Sequence, residues 1–234
     1  MILCTKPSLS MNCATNMAAV KLMFPAIMMA TVIAVRSLDT NHVFDPCSDS
    51  KVRRWDGFTF GIAFSSKDSF FSNQIQLSPC DRRLSLRGNA TLAVFRPKVD
   101  ELTFLTINTD FDPAKAGGYM VAFAGKQYAA RSIPTLVADK SNIITSFTLV
   151  LELQEGRLIN LYWKKVGCKS CTERSGVCVN NQECAIPISK CDINGGSVDC
   201  NLKVQLAFSG TDKGLGVLNS WYEVQKLREY LLAG

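Results

Sequence analysis

The 234-residue chain contains a single histidine, His42. Ser-His-Asp and Cys-His catalysis both need an imidazole held against a nucleophile, and His42 sits in what reads as a flexible lead ahead of the first strand. Neither chemistry is expected. Phosphate-binding glycine patterns are missing too: Gly214-Leu215-Gly216 lacks the third glycine of a dinucleotide fingerprint and follows no βαβ unit, and no phosphate-loop spacing occurs. Charged side chains make up only 20% of the chain. The basic clusters that exist (Lys51/Arg53/Arg54, Arg82/Arg83/Arg87, Lys164/Lys165) are short and mixed with acids, which is the texture of solvated loops and not of a nucleic-acid footprint. Asp110-Phe111-Asp112 opens like a calcium loop, but Ala114 fills the next alternate position, so no metal or other cofactor is expected.

Acidic residues are absent from 1–38, where the only charges are Lys6, Lys21 and Arg36, and Leu22 to Val35 is almost wholly apolar. That layout is an export signal. The apolar run is 14 residues long, short of the roughly 20 that cross a bilayer core, so cleavage near Val35 to Leu38 is expected over retention as a membrane anchor. Residues 1–37 are therefore assigned to a signal peptide and 38–234 to one domain. Met17 opens a more compact signal than Met1 does. Removing the three cations from the 26 basic side chains leaves 23 against 20 acidic ones, a mild charge that selects no partner.

The same cleavage removes Cys4 and Cys13 and leaves an even set: Cys47, Cys80, Cys168, Cys171, Cys178, Cys184, Cys191 and Cys200. An even count behind an export signal reads as a disulfide framework. Cys47 and Cys80 lie far from the others and are expected to pair. The remaining six crowd into 168–200, a sub-region poor in large apolar residues, and their spacing leaves all 15 pairings open. Cys168-Lys169-Ser170-Cys171 has the spacing of a thiol-disulfide exchange centre, but the βαβ context of such a centre is missing.

The rest of the chain alternates with the period of a strand. In Phe58–Phe64 four large apolar side chains share one parity, with Thr59, Gly61 and Ala63 on the other. Ser65-Ser66-Lys67-Asp68 supplies a turn, and Ile75 and Leu77 alternate with glutamines. Further strands are expected at Thr91–Phe95, Leu102–Ile107, Tyr119–Ala124, Tyr128–Arg131, Ser146–Leu153, Leu158–Trp163 and Leu202–Phe208. Hairpins are expected at Gly125-Lys126 and at Gln154-Glu155-Gly156-Arg157. This predicts a mainly β fold, an antiparallel β-sandwich or jelly roll with a disulfide-rich loop region. Near the C-terminus Val217, Trp221, Val224, Leu227 and Leu231 recur at helical spacing, and Ser220 stands three before Glu223, a capping box opening a final helix. An edge strand through Trp221–Val224 is the competing reading.

Asn89-Ala90-Thr91 is a glycosylation sequon in a turn context. Paired carboxylates of the glycosidase type leave no spacing rule, and Glu152 is the first suspect for such a role; a glutamate on the wet face of a strand is its plainer reading. Trp55, Trp163 and Trp221 could stack on sugars, although large aromatics in a sandwich belong more often to the core.

Four blocks carry a resemblance: Asp56 to Ser66 (DGFTFGIAFSS), Phe95 to Asp100 (FRPKVD), Gly117 to Gly125 (GGYMVAFAG) and Leu218 to Val224 (LNSWYEV). Across about residues 45–230 the chain resembles the plant "Expp" secreted proteins, a cysteine-rich family without a characterised activity. The resemblance implies a plant source and export, and carries no residue role. The chain is expected to be a secreted, non-enzymatic module binding a cell-wall glycan or another secreted protein, in the apoplast or wall. A polysaccharide hydrolase and thiol-disulfide exchange at Cys168/Cys171 are the alternatives.

Overall fold

A computed structural model describes residues 39–84, 90–107, 112–127, 131–165, 167–168, 171 and 176–232. Residues 1–37, expected to be an export signal, and Asn89, the expected glycosylation site, lie outside them. The longer strands are β1 (Phe60–Ser66), β4 (Thr91–Phe95), β5 (Thr103–Ile107), β6 (Gly118–Phe123), β9 (Ser146–Gln154), β10 (Arg157–Lys164) and β13 (Leu202–Thr211). Short ones are β2 (Phe71–Ser72), β3 (Ile75–Gln76), β7 (Thr135–Leu136), β8 (Asn142–Ile143), β11 (Val177–Val179), β12 (Glu183–Pro187) and β14 (Val217–Leu218), and one helix, α1, spans Ser220–Leu232.

The first sheet runs β4-β1-β6-β7 and the second β10-β9-β13-β14, with β5 also paired to β13. Alternation decides which faces meet. Phe60, Ile62 and Phe64 of β1 and Met120 and Ala122 of β6 share one buried cluster with Leu149, Leu151 and Leu153 of β9 and Leu202, Val204, Leu206 and Phe208 of β13. Burying side chains of this kind stabilises by roughly 1.5–3 kcal/mol each. Phe58 joins the same cluster although it precedes β1. The parity expected for Phe58–Phe64 is thus the observed one, but the strand is displaced two residues, running through Ser66 before a 3-10 turn at Lys67–Phe70. The outer face of the first sheet holds a second cluster, Ala63, Val121 and Phe123 beneath Phe70. Gly61 is required there, because a Cβ would stand 2.3 Å from the Phe123 ring.

The antiparallel expectation fails at one pair. β13 lies parallel to β9, from Lys203 opposite Ser146 to Gly210 opposite Leu153, while pairing antiparallel with β5 on its other side. Strand alternation is blind to direction, so the sequence held no sign of it. The β9–β10 hairpin forms where expected: Glu155 and Gly156 both have positive φ, 50° and 76°, the requirement of a type I′ turn. Asn73 and Gln74 do the same for the small β2–β3 hairpin, where Ile75 is exposed and Leu77 is buried. The hairpin after β6 is seen only at its return, where Arg131 bridges Phe123 and β7 pairs with β6; residues 128–130 lie outside the described ones.

The helix expected at the C-terminus is α1, not an edge strand. It packs on β13, with Val224 fully buried. Val150 and Ala207, register partners on β9 and β13 that stand outside the main inter-sheet cluster, are also fully buried. The capping box does not form. The Ser220 hydroxyl turns to β13, accepting from the Phe208 N–H at 2.7 Å and donating to its carbonyl at 3.2 Å. The helix is capped instead by Asp100, whose Oδ1 accepts from the N–H groups of Asn219 and Ser220, both at 2.8 Å.

Asp100 is one of four carboxylates that pin loops to this end of the molecule. Its Oδ2 stands 2.8 Å from Arg54 Nε, an ion pair without aligned hydrogen-bond geometry. Asp56 accepts from the Thr40 N–H and hydroxyl and from the Arg53 N–H. Asp212 accepts from the N–H groups of Arg54, Gly214 and Gly216, so the Gly214-Leu215-Gly216 loop is folded around a carboxylate. Asp39 accepts from Asn41, Gly57 and Arg96. Arg96 also donates to the carbonyls of Asn41 and Val43 and to the Thr59 hydroxyl, and its guanidinium lies over the Phe44 ring. The lead that read as flexible is strapped down by these contacts.

All eight cysteines after residue 38 are paired: Cys47–Cys80, Cys168–Cys178, Cys171–Cys184 and Cys191–Cys200. The long-range bridge is the expected one. The cysteine-rich sub-region is less a pure cross-linked loop than its composition implied. β11 and β12 form a hairpin there, β12 pairs with β8, and Ala185, Cys191 and Cys200 are buried in the main core.

Candidate functional site

Val52 binds both sheet-end turns: its N–H donates to the Gly156 carbonyl at 3.0 Å, and its own carbonyl accepts from Lys213 at 2.9 Å. Six residues earlier Pro46 accepts from the Gly125 N–H at 2.8 Å, and Cys47 is bridged to Cys80. Between these anchors the segment 48–51 arches over the gap between the end of β6 and the start of β10. Beneath it lies a cleft of about 170 Å³, lined by Ser48, Asp49, Ser50, Lys51, Phe58, Ala124, Gly125, Gln127, Arg157 and Leu158. Phe58 and Leu158 belong to the inter-sheet core and form its apolar floor. Phe58 is held edge-on by Phe208, with ring centroids 6.4 Å apart.

The walls are fixed by backbone contacts. Asp49 Oδ1 accepts from the N–H groups of Lys126 and Gln127, at 2.8 and 3.0 Å. Gly125 makes that approach possible: its φ is +72°, and a Cβ would stand 2.4 Å from Asp49 Oδ1. Around the rim, Lys51 Nζ lies 4.0 Å from Glu155 Oε2, the outer limit of an ion pair. Among the described residues the guanidinium of Arg157, the side-chain amide of Gln127, the Ser50 hydroxyl and Asp49 Oδ2 have no hydrogen-bond partner. The cleft thus presents unused donors and acceptors above an apolar floor, the general form of a small-ligand site.

A sequence model of one family matches residues 17–143 and 135–234, together most of the chain. The chain belongs to the family described as Uncharacterised protein DDB_G0273449. No curated protein and no solved structure matches it. Membership in the DDB_G0273449 family carries no activity.

The residues singled out in the sequence do not converge on the cleft. Glu152, on β9, is half-buried and accepts from the Asn160 amide at 2.8 Å. Its register partners are Asn160 and Ser209, neither of them an acid. Burial of Tyr162 itself, and to a lesser extent the Glu152 charge, pushes the Tyr162 hydroxyl above its ordinary pKa. Cys168 and Cys171 are bridged to Cys178 and Cys184 and not to each other, which leaves no Cys-x2-Cys disulfide for exchange. Asp112 holds a turn, accepting from Ala114 and Lys115, while 110–111 lie outside the described residues. Trp163 is core, packed edge-on against Phe147 at 5.7 Å; Trp221 lies beside Lys164, and Trp55 is 44% exposed under Arg54. Among the described residues no three His, Cys, Asp or Glu side chains gather to hold a metal ion.

The cleft residues were missed because each looks ordinary in its own segment. Arg157 read as the end of a hairpin turn, Lys51 as a solvated cation, and Ser48 to Ser50 as part of a loose lead. Only the return of three separate segments, around 48–58, 124–127 and 157–158, gives them a common site.

Proposed function

We propose that the protein is an exported, disulfide-stabilised, non-enzymatic module that binds a cell-wall glycan or another secreted protein outside the cell. The complete pairing of all eight cysteines after residue 38 is the observation that carries the reading, because such a set persists in an oxidising compartment. The signal-like composition of 1–37 supports it, as does the start of the family match at Met17, the methionine that opens the more compact signal. Among the described residues no helix is long and apolar enough to cross a membrane. The resemblance to plant Expp secreted proteins agrees with an apoplastic or wall location, and Asn89 is the expected glycosylation site.

Binding suits the architecture: a two-sheet core and four bridges hold rigid loops, and the cleft is shaped before any ligand arrives. The test is expression of the full chain in a plant secretory host. Recovery from the medium with an N-terminus between Val35 and Leu38, followed by retention on a wall-glycan array or a defined secreted protein, is the expected result. Retention of the chain inside the cell with free thiols would overturn the proposal.

A further inference from the structure

We infer that the cleft under the 48–51 arch receives one uncharged sugar ring of a polysaccharide; this rests on the extracellular binding reading and narrows it. Size is the first reason. At about 170 Å³ the space is smaller than the roughly 300–1,000 Å³ pockets that enclose whole drug-sized ligands, so it admits one ring-sized group, with the remainder of a chain outside. A protein partner needs a far larger footprint, about 800 Å² from each side, than this cleft offers.

Wall chemistry is the second reason. Arg157, Gln127 and Lys51 present donors, and Asp49 Oδ2 and the Ser50 hydroxyl present acceptors. A sugar hydroxyl donates and accepts at the same atom, so a polyol can satisfy both sets at once, whereas an anion would satisfy only the donors. Charge is the third. Arg157 and Lys51 are balanced by Asp49 and Glu155 around the same rim, so the site has no strong field to select a charged ligand. The apolar floor of Phe58 and Leu158 suits the C–H face of a ring. The arch is anchored to both sheet ends, so little ordering is left to be lost on binding.

Saturation-transfer NMR and calorimetry on the secreted, fully oxidised protein would test this with cellohexaose, xylohexaose, mannohexaose and hexagalacturonate. At least one neutral hexamer should bind. Arg157→Ala and Asp49→Asn should each weaken it about tenfold or more, the effect of losing a hydrogen bond to a charged group, with unchanged melting temperatures. Asp49→Asn keeps an oxygen for the Lys126 and Gln127 N–H groups, so it separates ligand contact from folding. Exclusive binding of hexagalacturonate would overturn the uncharged assignment. Neutral-sugar binding that survives both variants and falls in Trp55→Ala would move the site away from the cleft while leaving the module reading intact. Absence of binding to all four sugars overturns the inference; if defined secreted proteins also fail to bind, the module reading falls with it.

Discussion

Replacing Asp100 should cost far more stability than an ordinary change outside the hydrophobic core. Its side chain is fully inaccessible, and one oxygen carries the N–H groups of Asn219 and Ser220 that open α1, while the other faces Arg54 at 2.8 Å. Losing a helix N-cap costs about 0.5–2 kcal/mol, and leaving a buried N–H unsatisfied adds about 1–3 kcal/mol. The ion pair adds little, because Arg54 is 43% exposed and well screened. Asp100 also has a φ of +66°, a conformation that Asp and Asn tolerate and that costs other L residues about 1–2 kcal/mol. Asp100→Ala should therefore lower the unfolding free energy by about 3–4 kcal/mol, and Asp100→Asn, which keeps an acceptor and the backbone preference, by about 1 kcal/mol. Urea unfolding followed by far-UV circular dichroism and tryptophan fluorescence, with the bridges intact, measures both. Glu223→Ala is the control: its exposed carboxylate caps nothing, and it should stay within about 0.5 kcal/mol of the parent. A large loss at Glu223 with a small one at Asp100 would show that the capping box, and not the distant carboxylate, opens the helix.

Three further outcomes are expected. Removing the Cys47–Cys80 bridge as a double serine variant should cost about 3.7 kcal/mol by loop entropy over its 33-residue span, more than either short bridge around Cys178 or Cys184; equal losses in denaturant melts would contradict this. Gly125→Ala should destabilise by more than 1 kcal/mol through its +72° φ and its contact with Asp49, and calorimetric melting no lower than the parent's would refute that packing. Burial raises the Asp212 pKa, but hydrogen bonds from Arg54, Gly216 and Gly214 outweigh it and hold the carboxyl below its usual 3.8. Its contribution is present above pH 3.8 and lost as the pH falls through the lower folded value, so the stability gap between parent and Asp212→Asn should close below pH 4; a gap that stays constant to pH 2.5 in acid titrations would disprove the linkage.

Much of the architecture was legible because hydrophobic parity is a local code. Phe60, Ile62 and Phe64 on β1, with Phe58 just before it, and Leu202 to Phe208 on β13, state which face is wet without knowledge of the partner. What parity does not encode is direction or pairing, so the parallel β9–β13 ladder and the hairpin within the cysteine-rich region were hidden. The helix itself was legible, although Val217 of the expected helical set lies in β14 and Leu227 is exposed, leaving Val224 as the buried anchor; its cap is supplied by a residue 119 positions away, which no local motif could announce. Cys47–Cys80 followed from isolation in sequence, while the other three bridges depend on β11, β12 and the bend at Cys191. The cleft was illegible for the same reason as the cap: its donors and acceptors meet only after both sheets have closed.

The parallel ladder has a consequence for how the chain assembles. Residues paired across β9 and β13, such as Thr148 and Gln205, are 57 positions apart, and the path between them includes β10 and the whole cysteine-rich segment. That segment closes by short bridges of 10, 13 and 9 residues, each local to the segment, so none needs β9 and β13 to be paired first. Once oxidised, the connection behaves as a compact spacer in place of a long floppy loop, and the entropy of bringing β13 to β9 falls with it. Oxidation of the middle of the chain thus becomes a preparatory step for the pairing of β13, and delayed oxidation would leave β9 with an open edge, the form most exposed to pairing with a second chain.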